Sequence, residues 1–183
     1  RSAGAAPGHG LGRGTSGIVL FARTGEAGRV VARAWREGRV TKTYRALVSG
    51  RPRADAFAVD APIGPVGHPL LGTVHAASPG GKPSFSAVTV LERREGTSLV
   101  EVRIRTGRPH QIRIHLAFCG HPLVGDPLYG PGGGFRNGRP ALPGDTGYHL
   151  HAVELGLDHP RKGMPLEVWC RPPACLRSST EHP

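Results

Sequence analysis

Between Leu99 and Thr106 the apolar residues Val100, Val102 and Ile104 alternate with Glu101, Arg103 and Arg105. Side chains along a strand point to opposite faces in turn, so this period of two predicts a strand with one face buried. A polar run, Arg93-Arg94-Glu95-Gly96-Thr97, separates it from the apolar stretch Phe85 to Leu91, and the two are predicted to pair as an antiparallel hairpin. Leu166, Val168 and Cys170 alternate with Glu167, Trp169 and Arg171 in a third amphipathic strand, and Ile18 to Ala22 reads as a further, wholly apolar one. A different period marks Glu26 to Arg36, where Ala27, Val31, Ala34 and Trp35 recur at helical spacing and Gly38 provides a stop. A second helix is predicted over Pro109 to Cys119: proline suits the first turn, Ile112, Leu116 and Cys119 form one stripe, and Gly120 with Pro122 ends it. Arg113 lies one position off that stripe, so its head is expected to reach a cleft at the helix edge. These elements predict an α+β domain, a mixed and mostly antiparallel sheet with flanking helices.

At 183 residues the chain suits one domain with a substantial core, taken as residues 1–173, followed by a tail over 174–183. The 28 glycines and 18 prolines approach the low-complexity range, but they are interspersed among strand patterns and therefore read as turns. Residues 130–147 are the exception, with Gly130-Pro131-Gly132-Gly133-Gly134 and then Arg136-Asn137-Gly138-Arg139-Pro140 predicting a mobile surface loop. The formal charge of +11 implies attraction to a polyanion; its plainer source is a codon bias toward arginine. Three cysteines, Cys119, Cys170 and Cys175, form no paired C-x-x-C spacing, so neither a disulfide framework nor a zinc site is expected, and Cys119 and Cys170 are predicted to be buried. No apolar run approaches the roughly 20 residues needed to span a bilayer, and no membrane association is expected. The chain opens on Arg1-Ser2-Ala3-Gly4 without methionine and is read as a piece of a longer protein. Its acid-poor start leaves the compartment open between the cytoplasm and an organelle, chloroplast or mitochondrion.

Four blocks carry the chemistry. His9-Gly10-Leu11-Gly12-Arg13-Gly14-Thr15-Ser16-Gly17 resembles the H-R-L-D-x-x-T-S-G signature of the RluA-type pseudouridine synthases, with glycine at the second and fourth positions. Lys42-Thr43-Tyr44-Arg45-Ala46-Leu47-Val48-Ser49-Gly50 resembles the family's K-x-Y-x-A-x-V-x-G strand. Thr106-Gly107-Arg108-Pro109-His110-Gln111-Ile112-Arg113-Ile114-His115-Leu116, running on to Gly120-His121-Pro122 and Gly125-Asp126-Pro127-Leu128-Tyr129, is similar to T-G-R-x-H-Q-I-R-x-H-L and G-H-P-x-x-G-D-x-x-Y. Leu150-His151-Ala152 and His159-Pro160 match the closing L-H-A and H-P. The blocks fall in the family's order and cover most of residues 9–173. The family's first strands, with their K-P-x-G turn, have no counterpart in the chain.

The resemblance implies that uridine is isomerised to pseudouridine: the bond from uracil to ribose breaks, the base turns, and it rejoins through carbon. It implies an aspartate acting covalently, with no metal and no cofactor. A carboxylate suits that work because it is ionised at neutral pH. Gly12 stands at that position and has no such group, while Gly10 replaces the arginine that fills the gap left by the flipped base. By resemblance Tyr44 stacks on the target uracil, and Arg113 pairs with the catalytic carboxylate and a nearby phosphate; their plainer alternatives are a half-buried strand aromatic and a surface arginine. With Gly12 in place, Arg113 needs another anion: a substrate phosphate, solvent, or a substitute carboxylate. Asp126 is the best-marked substitute, expected within reach of Arg113 and facing Tyr44 if it replaces the nucleophile, and otherwise a turn residue bonded to its own backbone. Asp145 in the glycine-rich segment is a second candidate.

Arg13, Lys82, Arg108, His110 and Gln111 are expected to contact RNA, since by resemblance they line or border the cleft. His110 and His115 lie five apart, on different faces of a helix, and His149 with His151 offers only two ligands, so no metal is expected. The reading that follows is a monomeric synthase acting on structured ribosomal or transfer RNA. Its alternative is a catalytically impaired RNA-binding pseudoenzyme that keeps the cleft, and a basic domain without an RNA role comes third.

Overall fold

The computed structural model describes residues 6–7, 10–12, 14–136 and 147–181. Its strands are β1 (Ala6–Pro7), β2 (Thr15–Gly17), β3 (Phe21–Ala22), β4 (Thr41–Ser49), β5 (Ala56–Val59), β6 (Ile63–His68), β7 (Gly72–Ala77), β8 (Ser86–Arg93), β9 (Thr97–Ile104), β10 (Leu150–Asp158) and β11 (Pro165–Trp169). Two α-helices, α1 (Gly25–Arg36) and α2 (Gln111–Phe118), flank them. The main sheet runs β11-β10-β4-β9-β8-β5 with antiparallel neighbours, and β2 joins β10 in parallel. This is the mixed, mostly antiparallel α+β sheet that the periodicity predicts.

The β8–β9 hairpin forms where the two apolar runs face each other, and Gly96 turns it with a positive φ of 66°, a conformation that side-chain-bearing residues rarely adopt. One face of the sheet buries Ala46, Val48, Val88, Val100 and Val102 against Ile112 and Leu116 of α2. Near the other end, α1 sets Val31 and Ala34 against Val40, Leu155 and Leu157. Each fully buried valine or leucine of this kind stabilises the fold by about 1.5–3 kcal/mol. The start of α1 is fixed by Thr24, whose hydroxyl accepts the Ala27 N–H, and Gly38 follows its end with φ 69°.

Helix α2 departs from the amphipathic pattern. Every residue from Gln111 to Ala117 is buried, because the β6–β7 hairpin covers the side that the sheet leaves open: Ile63, Ile114, Ala117, Leu128 and Tyr129 form a separate core cluster. The buried polar side chains are accordingly bonded. Gln111 accepts from the Thr106 hydroxyl at 2.8 Å and donates to the Phe85 carbonyl at 2.9 Å, while His115 bonds Ser86 Oγ and the Ala61 carbonyl at 2.8 and 3.0 Å. Burial holds the His115 imidazole below its ordinary pKa.

Three local expectations are corrected. Pro109 does not open the helix; it precedes the N-cap, His110, whose backbone is left-handed at φ 55°, so the first helical residue is Gln111. The predicted strand at Ile18–Ala22 is split: the ladder is made earlier by Thr15–Gly17, Ile18 and Leu20 pack toward α1, and only Phe21–Ala22 is extended in pairing. Cys119 and Cys170 are only partly buried, the first as the C-cap of α2 and the second just past the end of β11, positions at the ends of elements rather than within them. Within the predicted loop, Pro131–Gly133 form a single 3₁₀ turn closed by pairing of Tyr129 with Phe135; residues 137–146 lie outside the described residues.

Candidate active site

A small cavity of about 90 Å³ opens where β2, β4, β9, β10 and α2 converge, with Gly12, Tyr44, His110, Arg113 and Tyr148 among its lining residues. The sheet explains the meeting of positions so far apart in sequence. Tyr44 on β4 lies opposite Val102 of β9 and Ala152 of β10, and β10 in turn holds Thr15–Gly17 in parallel register, which delivers the Gly12 turn to the same edge. That turn is closed by the Thr15 N–H donating to the Gly12 carbonyl at 2.8 Å. Burial raises the Tyr44 phenol above its ordinary pKa, so it is neutral and protonated at pH 7.

Arg113 is the most constrained side chain of the site. Its Nε and Nη2 donate to Asp126 Oδ2 and Oδ1 at 2.7 and 2.8 Å, a bidentate pair with side-chain exposures of 9% and 0%. The guanidinium also lies 4.5 Å from the ring centre of Tyr148 and 4.9 Å from that of Tyr129, one cation between two aromatic rings. Burial works against its charge, and the Asp126 partnership outweighs that and raises its pKa.

Asp126 thus supplies the anion that Gly12 lacks. Its Oδ1 also accepts the Leu128 and Tyr129 N–H groups at 2.9 and 3.0 Å, so the carboxylate is both the partner of Arg113 and the turn residue of its own loop. It is absent from the cavity lining, and its oxygens are turned to these donors.

The other predicted positions divide. His110 and Gln111 line the cavity, whereas Lys82 and Arg108 do not; the Arg108 guanidinium donates to the Pro83 carbonyl, and Lys82 is exposed beside Ile63. Arg13, His9 and Asp145 lie outside the described residues. The Tyr129 hydroxyl donates to the His75 carbonyl at 2.7 Å, so the 2.9 Å contact between Tyr129 and His110 Nδ1 has the imidazole N–H as donor. Lost hydration, together with the Arg113 charge, presses the His110 pKa down to about 4, and the ring is neutral at pH 7. Among the described residues no group of three or more His, Cys, Asp or Glu side chains is arranged to hold a metal ion.

Two side chains of the site carry no role in the sequence reading. Tyr129 ends the G-D-x-x-Y block, and Tyr148 precedes Leu150 by two; both Tyr148 and Leu150 line the cavity, as strand alternation requires of residues two apart. That alternation, extended back from Leu150, is the signal that points to Tyr148.

A model of the RNA pseudouridylate synthase family matches residues 2–118, a stretch that carries Gly12, Tyr44 and Arg113. The chain belongs to this family. Within it, the chain is 44% identical to RNA pseudouridine synthase 5 of Arabidopsis thaliana, over 82% of this chain and 52% of that protein. It is 40% identical to ribosomal large subunit pseudouridine synthase D of Nitrosomonas europaea, over 90% and 46% respectively, a kinship that makes it an RluA-type member. It spans about half the length of the curated relatives it matches. The structure superposes on human RNA pseudouridylate synthase domain containing 1 with a TM-score of 0.73 and 29% identity, over 95% of this chain and 72% of that one. The pseudouridylate synthase domain is therefore the fold.

Proposed function

We propose that the chain acts as an RNA pseudouridine synthase of the RluA type, isomerising uridine in structured ribosomal or transfer RNA as a monomer without metal or cofactor. One observation carries the reading: the signature loop, the strand tyrosine and the helix arginine, from three distant blocks, line one cavity. Tyr44 offers an apolar ring face and a protonated hydroxyl to a flipped uracil. Arg113, held by Asp126 through Nε and Nη2, has Nη1 as the nitrogen to meet a phosphate of the bound strand. Asp126 serves as an anchor for Arg113 rather than as a substitute nucleophile, because its oxygens are committed to four donated hydrogen bonds. Arg13, Lys82, Arg108, His110 and Gln111 extend the basic and polar border along which RNA lies, and the chain's +11 charge draws the polyanion in.

Loss of tritium from RNA labelled at uridine C5, with no co-substrate added, tests this reading, because isomerisation replaces the C5–H bond by a C5–C1′ bond while leaving the strand intact. Turnover on ribosomal or transfer RNA is expected. RNA binding without tritium release would leave the pseudoenzyme.

A further inference from the structure

Tyr148 closes the space that a side chain at position 12 would enter. A Cβ built on Gly12 would stand 3.0 Å from the Tyr148 hydroxyl oxygen and 3.4 Å from Thr15 Oγ1, and one on Gly14 would meet the Tyr148 ring carbons at 2.6 and 2.7 Å. The phenol is therefore matched to a loop with glycine at both positions. It is 6% exposed, lines the cavity, and rests its ring on the Arg113 guanidinium.

The hydrogen-bond pattern then orients its proton. The Gly14 N–H donates to the Tyr148 hydroxyl at 3.2 Å, so that bond uses an oxygen lone pair and not the hydroxyl hydrogen. Thr15 Oγ1 is the other partner, at a long 3.4 Å. An O–H with so weak a competitor can be given to a ligand in the cavity. Among the described loop residues that line the cavity, Gly10, Leu11 and Gly12 contribute no polar side chain, which leaves the Thr15 hydroxyl, itself bonded to Tyr148, as the loop's one side-chain proton donor there.

We infer that the Tyr148 hydroxyl is the proton-transfer group for the uridine bound beside Gly12. The inference rests on the synthase reading above. As the C1′–N1 bond breaks, the bonding pair stays with N1, and the phenol protonates N1. The ribose carries the resulting positive charge at C1′, and Tyr148 is left as phenolate beside Arg113 and the Gly14 N–H. After the uracil turns, its C5–C6 π pair forms the C1′–C5 bond, and the phenolate removes the C5 proton. One hydrogen has moved from C5 to N1, no electrons are gained or lost, and the phenol is restored.

Tyr148→Phe keeps the ring against Arg113 and removes only the hydroxyl, so the tritium-release assay with matched RNA-binding and melting measurements is decisive. The expected result is a fall in turnover of about a hundredfold or more, the ordinary contribution of a positioned acid or base, with RNA affinity within twofold of the unsubstituted chain. A smaller fall overturns the inference while leaving the synthase reading intact. Placing 3-fluorotyrosine at 148 keeps the shape and makes the hydroxyl more acidic; a rate change above threefold at fixed pH is expected, and an unchanged rate also overturns the inference. An unsubstituted chain that binds RNA without releasing tritium refutes the synthase reading first, and this inference with it.

Discussion

Asp126 grips Arg113 through both carboxylate oxygens at 2.7 and 2.8 Å, and the guanidinium lies in the cavity wall between the rings of Tyr129 and Tyr148. Removing one member of a buried pair strands the other without its partner. Asp126→Asn is therefore expected to destabilise the fold by about 3–5 kcal/mol, since the new amide presents a donor to the guanidinium. Urea unfolding at neutral pH measures this, and a loss below about 1 kcal/mol would contradict the anchor role.

His110 gives the fold a weakness on the acid side. Its folded pKa is depressed to about 4 from the ordinary 6.5, so below 6.5 the unfolded chain takes up a proton that the folded chain refuses. Stability is expected to decline as pH falls from about 6.5 toward 4 and to lose nothing more from this group below that. His115 and His151 are lowered too and add to the decline in the same direction. The His110 share is isolated by His110→Asn, which tolerates the left-handed backbone; the variant's urea midpoint should fall less between pH 7 and 4.5 than that of the unsubstituted chain.

Gly17 ends β2 with φ 108°, and a Cβ there would run into the backbone carbonyl of Ala152 on β10. Backbone cannot step aside as a flexible side chain can. Gly17→Ala is expected to cost at least about 1–3 kcal/mol and to loosen the loop that carries Gly12. A lowered melting temperature, with faster amide exchange at Ile18 and Leu150, is the expected signature.

Restoring the family's carboxylate should not help. A side chain at position 12 meets the Tyr148 hydroxyl at 3.0 Å from its Cβ alone. Gly12→Asp is expected to lower tritium release at least tenfold by displacing Tyr148. Higher activity from this single change would show that the phenol is dispensable.

The RNA grip has its own measure. Each phosphate neutralised on a single strand contributes a slope of about −0.7 to the dependence of log affinity on log salt. Replacing Arg108 by alanine should weaken binding alike for uridine-rich and uridine-poor strands and reduce that slope by about the same amount. An unchanged slope would remove Arg108 from the contact surface.

Local chemistry was enough to write the β8–β9 hairpin, β11 and the first helix. The alternation around Val100, Val102 and Ile104, the helical spacing of Val31 and Ala34, and the ordered motif blocks act over a few residues, so α1, β9, the β8–β9 hairpin and the family were legible in the sequence. What tertiary structure alone decided depends on partners distant in the chain. The β6–β7 hairpin buries all round a helix that reads as one-sided, Asp126 reaches Arg113 across thirteen residues, and Tyr148 fills the space opposite Gly12 from more than 130 residues away. Periodicity reports which face of an element avoids water; it carries no record of which other segment covers that face, and that is where the anchor and the phenol of this site were chosen.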